Sequence, residues 1–146
     1  MAVTKALHWL RTILASRGIP TIVLEFHLEE ILAAISEDVI DQPAMQNQFG
    51  RFLADREAER ARHLGAENRS RLIEMFEQRF RACTGFRIEA AAELIASAWL
   101  DEQCGIPGAL AALRDWLTDA RRFSADWIAT VHELLAELDA AQGQST

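Results

Sequence analysis

Arg56, Arg60 and His63 follow one another at separations of four and three, the spacing that puts three side chains on one face of a helix. Guanidinium forks presented together match a carboxylate or a phosphate, so these three form a candidate anion site. Arg69 or Arg71, a little further along, could complete it. A solvated charged face competes with that reading, because Glu59 lies within helical reach of Arg56, Arg62 and His63. Glu93 is the second candidate. Between Ala90 and Leu100 only Glu93 and Ser97 interrupt an apolar run, and an unpaired charge in such a setting is either costly or neutralised. Ser97 could donate to it, and an Arg from the 51–62 stretch could pair with it. Alternatively residues 93, 97 and 101, each four apart, mark the one solvent-facing strip of that helix.

Other chemistry is poorly represented. The four histidines (8, 27, 63 and 132) stand singly, no Glu-x-x-His occurs, and the two cysteines, Cys83 and Cys104, form no C-x-x-C pair. A metal site is therefore not expected. Cys83 falls on an apolar stripe and reads as a small buried hydrophobe; Cys104, beside Gly105, is the more reactive candidate. There is no Gly-x-Ser-x-Gly and no phosphate-binding glycine loop, which leaves no catalytic residues to name and no cofactor to expect. The length, with Pro43, Phe49 and Phe52, would suit a globin-like tetrapyrrole protein, yet residues 87–121 contain no His to serve as a proximal ligand.

The elements that must carry these residues are helices. In 146 residues Ala is frequent, Gly numbers 7 and Pro 3, and no sustained alternation of β-branched residues appears. The run from Phe86 to Gly105 is apolar nearly all round and so belongs at the centre of a domain; its eleven-residue apolar segment is shorter than the roughly 20 residues a bilayer requires. Around it, stripes predict helices over 2–17 (Val3, Ala6, Leu7, Leu10, Ile13, Leu14), 20–40 (Leu24, Leu28, Ile31, Ile35, Val39), 44–64 (Met45, Phe49, Phe52, Leu53), 67–83 (Leu72, Ile73, Phe76, Phe80, Cys83), 108–121 (Leu110, Leu113, Trp116, Leu117, Ala120) and a last one from Ser124. Residues 44–83 could also form one kinked helix. Gly18-Ile19-Pro20 and Gly105-Ile106-Pro107 are matching stop-and-restart turns. The expected fold is all-α: one compact domain of six or seven helices over residues 1–139, an irregular bundle or a globin-like layered packing without a sheet. A frayed tail is expected over 140–146.

Charge narrows the partners. The net charge is −7, with three bases against six acids in 1–50, nine against seven in 51–89, and three against nine in 90–146. Such a balance disfavours nucleic acid. Neither a membrane segment nor a signal peptide is expected, and a cytoplasmic location with reduced thiols follows as the default. The functional expectation is a non-catalytic binding or regulatory module acting through protein contacts. Trp9 and Phe26, both off the stripes of their helices, are the candidate interface, and a homodimer is the simplest partner. The alternative is a small-ligand sensor with a pocket lined by Phe76, Phe80, Trp99 and Glu93; an enzyme ranks third.

Overall fold

The computed structural model describes residues 2–38 and 43–143. They form seven helices: α1 (Ala2–Ser16), α2 (Thr21–Asp38), α3 (Pro43–His63), α4 (Ala66–Ala82), α5 (Ala91–Gln103), α6 (Ala109–Leu117) and α7 (Ala125–Gly143). No strand occurs among the described residues, and none of their helices is long and apolar enough to cross a membrane. The expected all-α fold is what forms. Of the break expected at 41–44, residues 41 and 42 lie outside the described residues, and α3 already begins at Pro43.

Helix α5 is the hub. It packs against α4, α6, α7 and α2, and touches α3. Its apolar sides meet the main core, in which Phe76 and Phe80 of α4, Ile95 and Trp99 of α5, and Trp127, Val131, Leu134 and Leu138 of α7 are all sealed from solvent. Small residues let the helices approach: Ala91, Ala92, Ala96 and Ala98 are buried without gaps on the α5 surface. Trp99 satisfies its indole N–H by donating to Asp139 Oδ1 at 2.8 Å. The α4 stripe is as expected, with Leu72, Phe76, Phe80 and Cys83 buried.

A second, separate core joins α1, α2 and α3 through Leu7, Leu24, Leu28, Phe49 and Phe52. A third, small contact of Ala15 with Ile106 and Ala109 fixes the end of α1 to the α5–α6 turn. There Gly18 has φ +85°, and a Cβ at this position would meet Ala112 Cβ at 3.3 Å, so both the backbone sign and the close approach call for glycine.

Several sequence expectations are corrected. Helix α5 begins at Ala91, not Phe86, because residues 83–90 form an irregular connection closed by Ala90 at φ 57°, a left-handed conformation uncommon for a residue with a side chain. Helix α6 stops at Leu117; Trp116 and Ala120, expected inward, are exposed, since nine residues give α6 only one short buried row at Ala109, Leu113 and Leu117. Leu94 is half-buried and Ile31 is exposed, because α2 buries the row Thr21–Leu24–Leu28, with Leu32 packed alongside. On α1 the buried row is Leu7–Arg11–Ala15, and Ala6 is exposed. Residues 44–83, by contrast, form the two helices expected, divided at Leu64 and Gly65, and not one kinked helix. Helix α7 runs past Asp139 to Gly143, with Ala141 buried.

Candidate functional site

Between the two cores lies a layer of buried polar groups, and the site grows out of it. Pro20 cannot cap a helix with a side-chain acceptor, so α2 takes its caps from α5. Thr21 N–H donates to Asp101 Oδ2 at 2.9 Å and Thr21 Oγ1–H to Asp101 Oδ1 at 2.5 Å, while Ile22 N–H donates to Ser97 Oγ at 3.0 Å. Ser97 is 5% and Asp101 2% exposed. Positions 97 and 101 are therefore not solvent-facing, as the spacing allowed; they are where α2 docks, while Glu93 is half-buried. Ser97 Oγ serves Ile22 and not Glu93.

Arg11 threads the same layer. Its Nε donates to Thr21 Oγ1 at 3.0 Å, its Nη2 to Asp101 Oδ1 at 3.4 Å, and its Nη1 lies 3.1 Å from Glu59 Oε2. Arg56 is also buried: its Nε stands 3.1 Å from Glu59 Oε2, its guanidinium lies over the Phe52 ring and its Nη1 is 3.3 Å from His8 Nδ1. Arg60 is paired with buried Glu25 and stands 3.6 Å from Glu57, which in turn accepts from Arg69 at 2.6 Å. Burial, reinforced by the neighbouring Arg69, brings the Arg60 pKa down to about 10. Burial and Arg11 lower that of Arg56, and burial with Arg56 lowers that of His8. Burial alone would raise the Glu59 carboxyl, but Arg11, the Cys104 thiol and Arg56 together hold it below the ordinary value. The thiol of Cys104 is pushed up to about 11 by burial and by Glu59, which favours its neutral form.

The candidate anion face is thus divided. Arg56 and Arg60 each already hold a carboxylate, and His63, at the end of α3, joins none of these bonds. Of the four residues expected to line a core pocket, Phe76, Phe80 and Trp99 are close-packed in the main core, and Glu93 alone is half-buried, beside a surface cleft that Phe80 backs.

Glu93 opens onto two clefts. One, about 770 Å³, lies beside the 83–90 connection and is bounded by Phe80, Arg81, Arg87 and Glu89. The other, about 330 Å³, is a groove between α2 and α4 with α5 as its floor. Ile22, Phe26 and Glu29 form its α2 wall, Arg69 and Ile73 its α4 wall, and Leu53 and Glu57 of α3 close one side. The Phe26 ring is 41% exposed there. At the top of α5, Glu77 Oε1 accepts from Ala92 N–H at 2.7 Å and Glu93 N–H at 3.2 Å, capping the helix from α4. The Glu93 carboxyl itself has no ion-pair partner among the described residues. Burial and the Glu77 carboxylate push its pKa up, with Arg60 and Arg69 acting in the opposite sense and Glu29 adding to the rise.

Trp9, on α1, is 66% exposed and lines neither cleft, whereas Phe26 lines the groove between α2 and α4. A second exposed aromatic group sits elsewhere: Phe86 and Trp116 flank buried Phe123, with ring centroids 5.6 and 5.5 Å away. Among the described residues no cluster of three His, Cys, Asp or Glu side chains could hold a metal ion.

Sequence reasoning missed Arg11, Thr21, Glu25 and Asp101. The available signal was positional: Arg11 sits four residues from both Leu7 and Ala15, and Glu25 between Leu24 and Leu28, so each charge occupies a buried row. No family model matches the chain, and comparison with curated proteins and with solved structures finds no match.

Proposed function

We propose that the chain is a non-catalytic binding module that acts by contacting another protein, and that the groove between α2 and α4 is its contact surface. The observation that carries this reading is the pairing of an exposed Phe26 ring with the unpaired Glu93 carboxyl on the floor of the same groove. An apolar rim that remains exposed beside a desolvated, uncompensated charge costs the free protein stability, and a bound partner covers both. Catalysis is not supported by any nucleophile: Cys83 is buried, Cys104 has a raised pKa, and the Arg and Glu side chains of the buried layer hold one another. Two cysteines, both free, fit a reducing cytoplasmic site of action.

A photo-crosslinking phenylalanine analogue placed at position 26, and separately at Trp9 and Glu137, tests the surface inside cells. A discrete adduct from position 26 that is absent from position 137 is expected. Adducts from Trp9 alone, or equal yields from 26 and 137, would remove the groove from consideration.

A further inference from the structure

We propose that the groove receives a basic, apolar-faced helix of a partner protein, with lysine or arginine side chains reaching Glu29 and Glu93 and an apolar side chain against Phe26. The proposal rests on the reading of the groove as a contact surface and names its occupant.

Shape comes first. The α2 wall presents Ile22, Phe26 and Glu29 at successive separations of four and three, which is one ridge of a helix. Such a ridge can pack against the side chains of a second helix laid along it, and that helix would insert its own anchors at helical spacing. The groove holds about 330 Å³, room for side chains entering from above but not for a further buried helix.

Charge then selects the occupant. Helix α2 carries Glu25, Glu29, Glu30, Glu37 and Asp38 and no Lys or Arg. Within the groove, Arg60 and Arg69 pair with Glu25 and Glu57 and offset Glu93 only from a distance. Among the described residues neither Glu29 nor Glu93 has an ion-pair partner. A second copy of this chain would bring another acidic α2 and a further net charge of −7 to the same place. Like charges facing each other across a partly desolvated contact are strongly disfavoured. A cationic helix reverses that sign. The long alkyl stems of Lys and Arg also suit the Ile22–Phe26–Ile73 lining, since they pack on apolar surface while the charged head reaches a carboxylate.

The raised pKa of Glu93 is consistent with this arrangement, because an incoming cation supplies the opposite charge that its surroundings lack.

The probe is a synthetic amphipathic helix of leucine and lysine, capped at both ends, titrated calorimetrically into the full chain at physiological salt. Binding with a Kd in the micromolar range is expected, weakened at least tenfold by combining Glu29→Gln with Glu93→Gln, and weakened similarly by Phe26→Glu. Asp115→Asn combined with Glu137→Gln removes the same net charge from exposed positions elsewhere and should leave the affinity within twofold. Equal weakening by that control pair, or equal binding of a leucine–glutamate helix, overturns the proposal. So does a concentration-dependent dimer in sedimentation that Phe26→Glu dissociates, since the groove would then belong to a second copy. A discrete cellular adduct from position 26 together with failure of the charge test would retain the contact surface and reject only the basic helix.

Discussion

Where α4 meets α7 the contact is made of rings: Phe80 lies 4.6 Å from Trp127, and Trp127 stacks on Phe123 at 5.0 Å. Where α2 meets α5 the contact is made of Thr21, Ser97, Asp101 and Arg11, joined by hydrogen bonds of 2.5 to 3.4 Å. Both contacts exclude water, but they respond to damage differently. Dispersion and apolar burial are non-directional, so a ring contact loses roughly what is removed from it. A buried polar network is stable only while every member keeps its partner, and one deletion leaves another charge stranded. The C-terminal helices are therefore held to one another by volume, whereas α1 and α2 are held to α5 by complementarity.

The largest test of this contrast is Phe80→Ala. It should cost about 3–5 kcal/mol and lower the denaturant midpoint of the whole chain, because the cavity opens at the centre of the main core. Asp101→Ala should cost about 3 kcal/mol, and its effect should be local. It strips the Thr21 cap from α2 and leaves Arg11 with Glu59 as its one remaining carboxylate, so hydrogen exchange should quicken in α1–α3 while α4–α7 stay protected. Uniform loss of protection would mean that the two cores act as one.

Acid should sharpen the difference further. The Glu59 carboxyl is held below its ordinary value of 4.5, so its contribution is complete above that pH and disappears as pH falls through the lower folded value. His8 is held below 6.5, so the stability tied to its neutral form is lost as pH drops below 6.5. Both signs weaken the α1–α3 layer first. Asp126, whose lowered pKa reflects bonds to Ser124 and Thr84 at the start of α7, is solvent-exposed and should matter little. Exchange measured near pH 4 should show α1–α3 opening before α4–α7.

The smallest effect is expected at Glu93. A carboxyl whose folded pKa is raised costs stability as pH rises above the unfolded value, so Glu93→Gln should raise the neutral-pH Tm by about 2 °C. A fall in Tm would show that the carboxylate has a structural partner.

Much of the fold was legible because its stripes are local. Leu72, Phe76, Phe80 and Cys83 repeat within one helix, and nothing remote is needed to see which face is buried. Residues with distant partners were opaque. Arg11 in an apolar row looks like an interruption until Asp101, ninety positions away, is seen beside it. The start of α5 was misplaced because its cap, Glu77, belongs to α4, so no capping signal stands next to Ala91. Trp116 read as inward because periodicity does not report that α6 is too short to cover it. At the candidate site, Glu93 stood out as a charge in an apolar run, but only the assembled helices show that its groove is shared with Phe26.

The caps supplied by α5 also set an order of events during synthesis. Thr21 leaves the ribosome 80 residues before the Asp101 that receives its N–H. Until then the first turn of α2 has no acceptor within its own segment, and closing so long a loop precedes any gain from the contact. The docking of α1–α3 is therefore expected to be completed only when α5 has emerged. A nascent chain arrested short of residue 101 should have its first sixty residues open to protease, whereas release of the full chain should close them together.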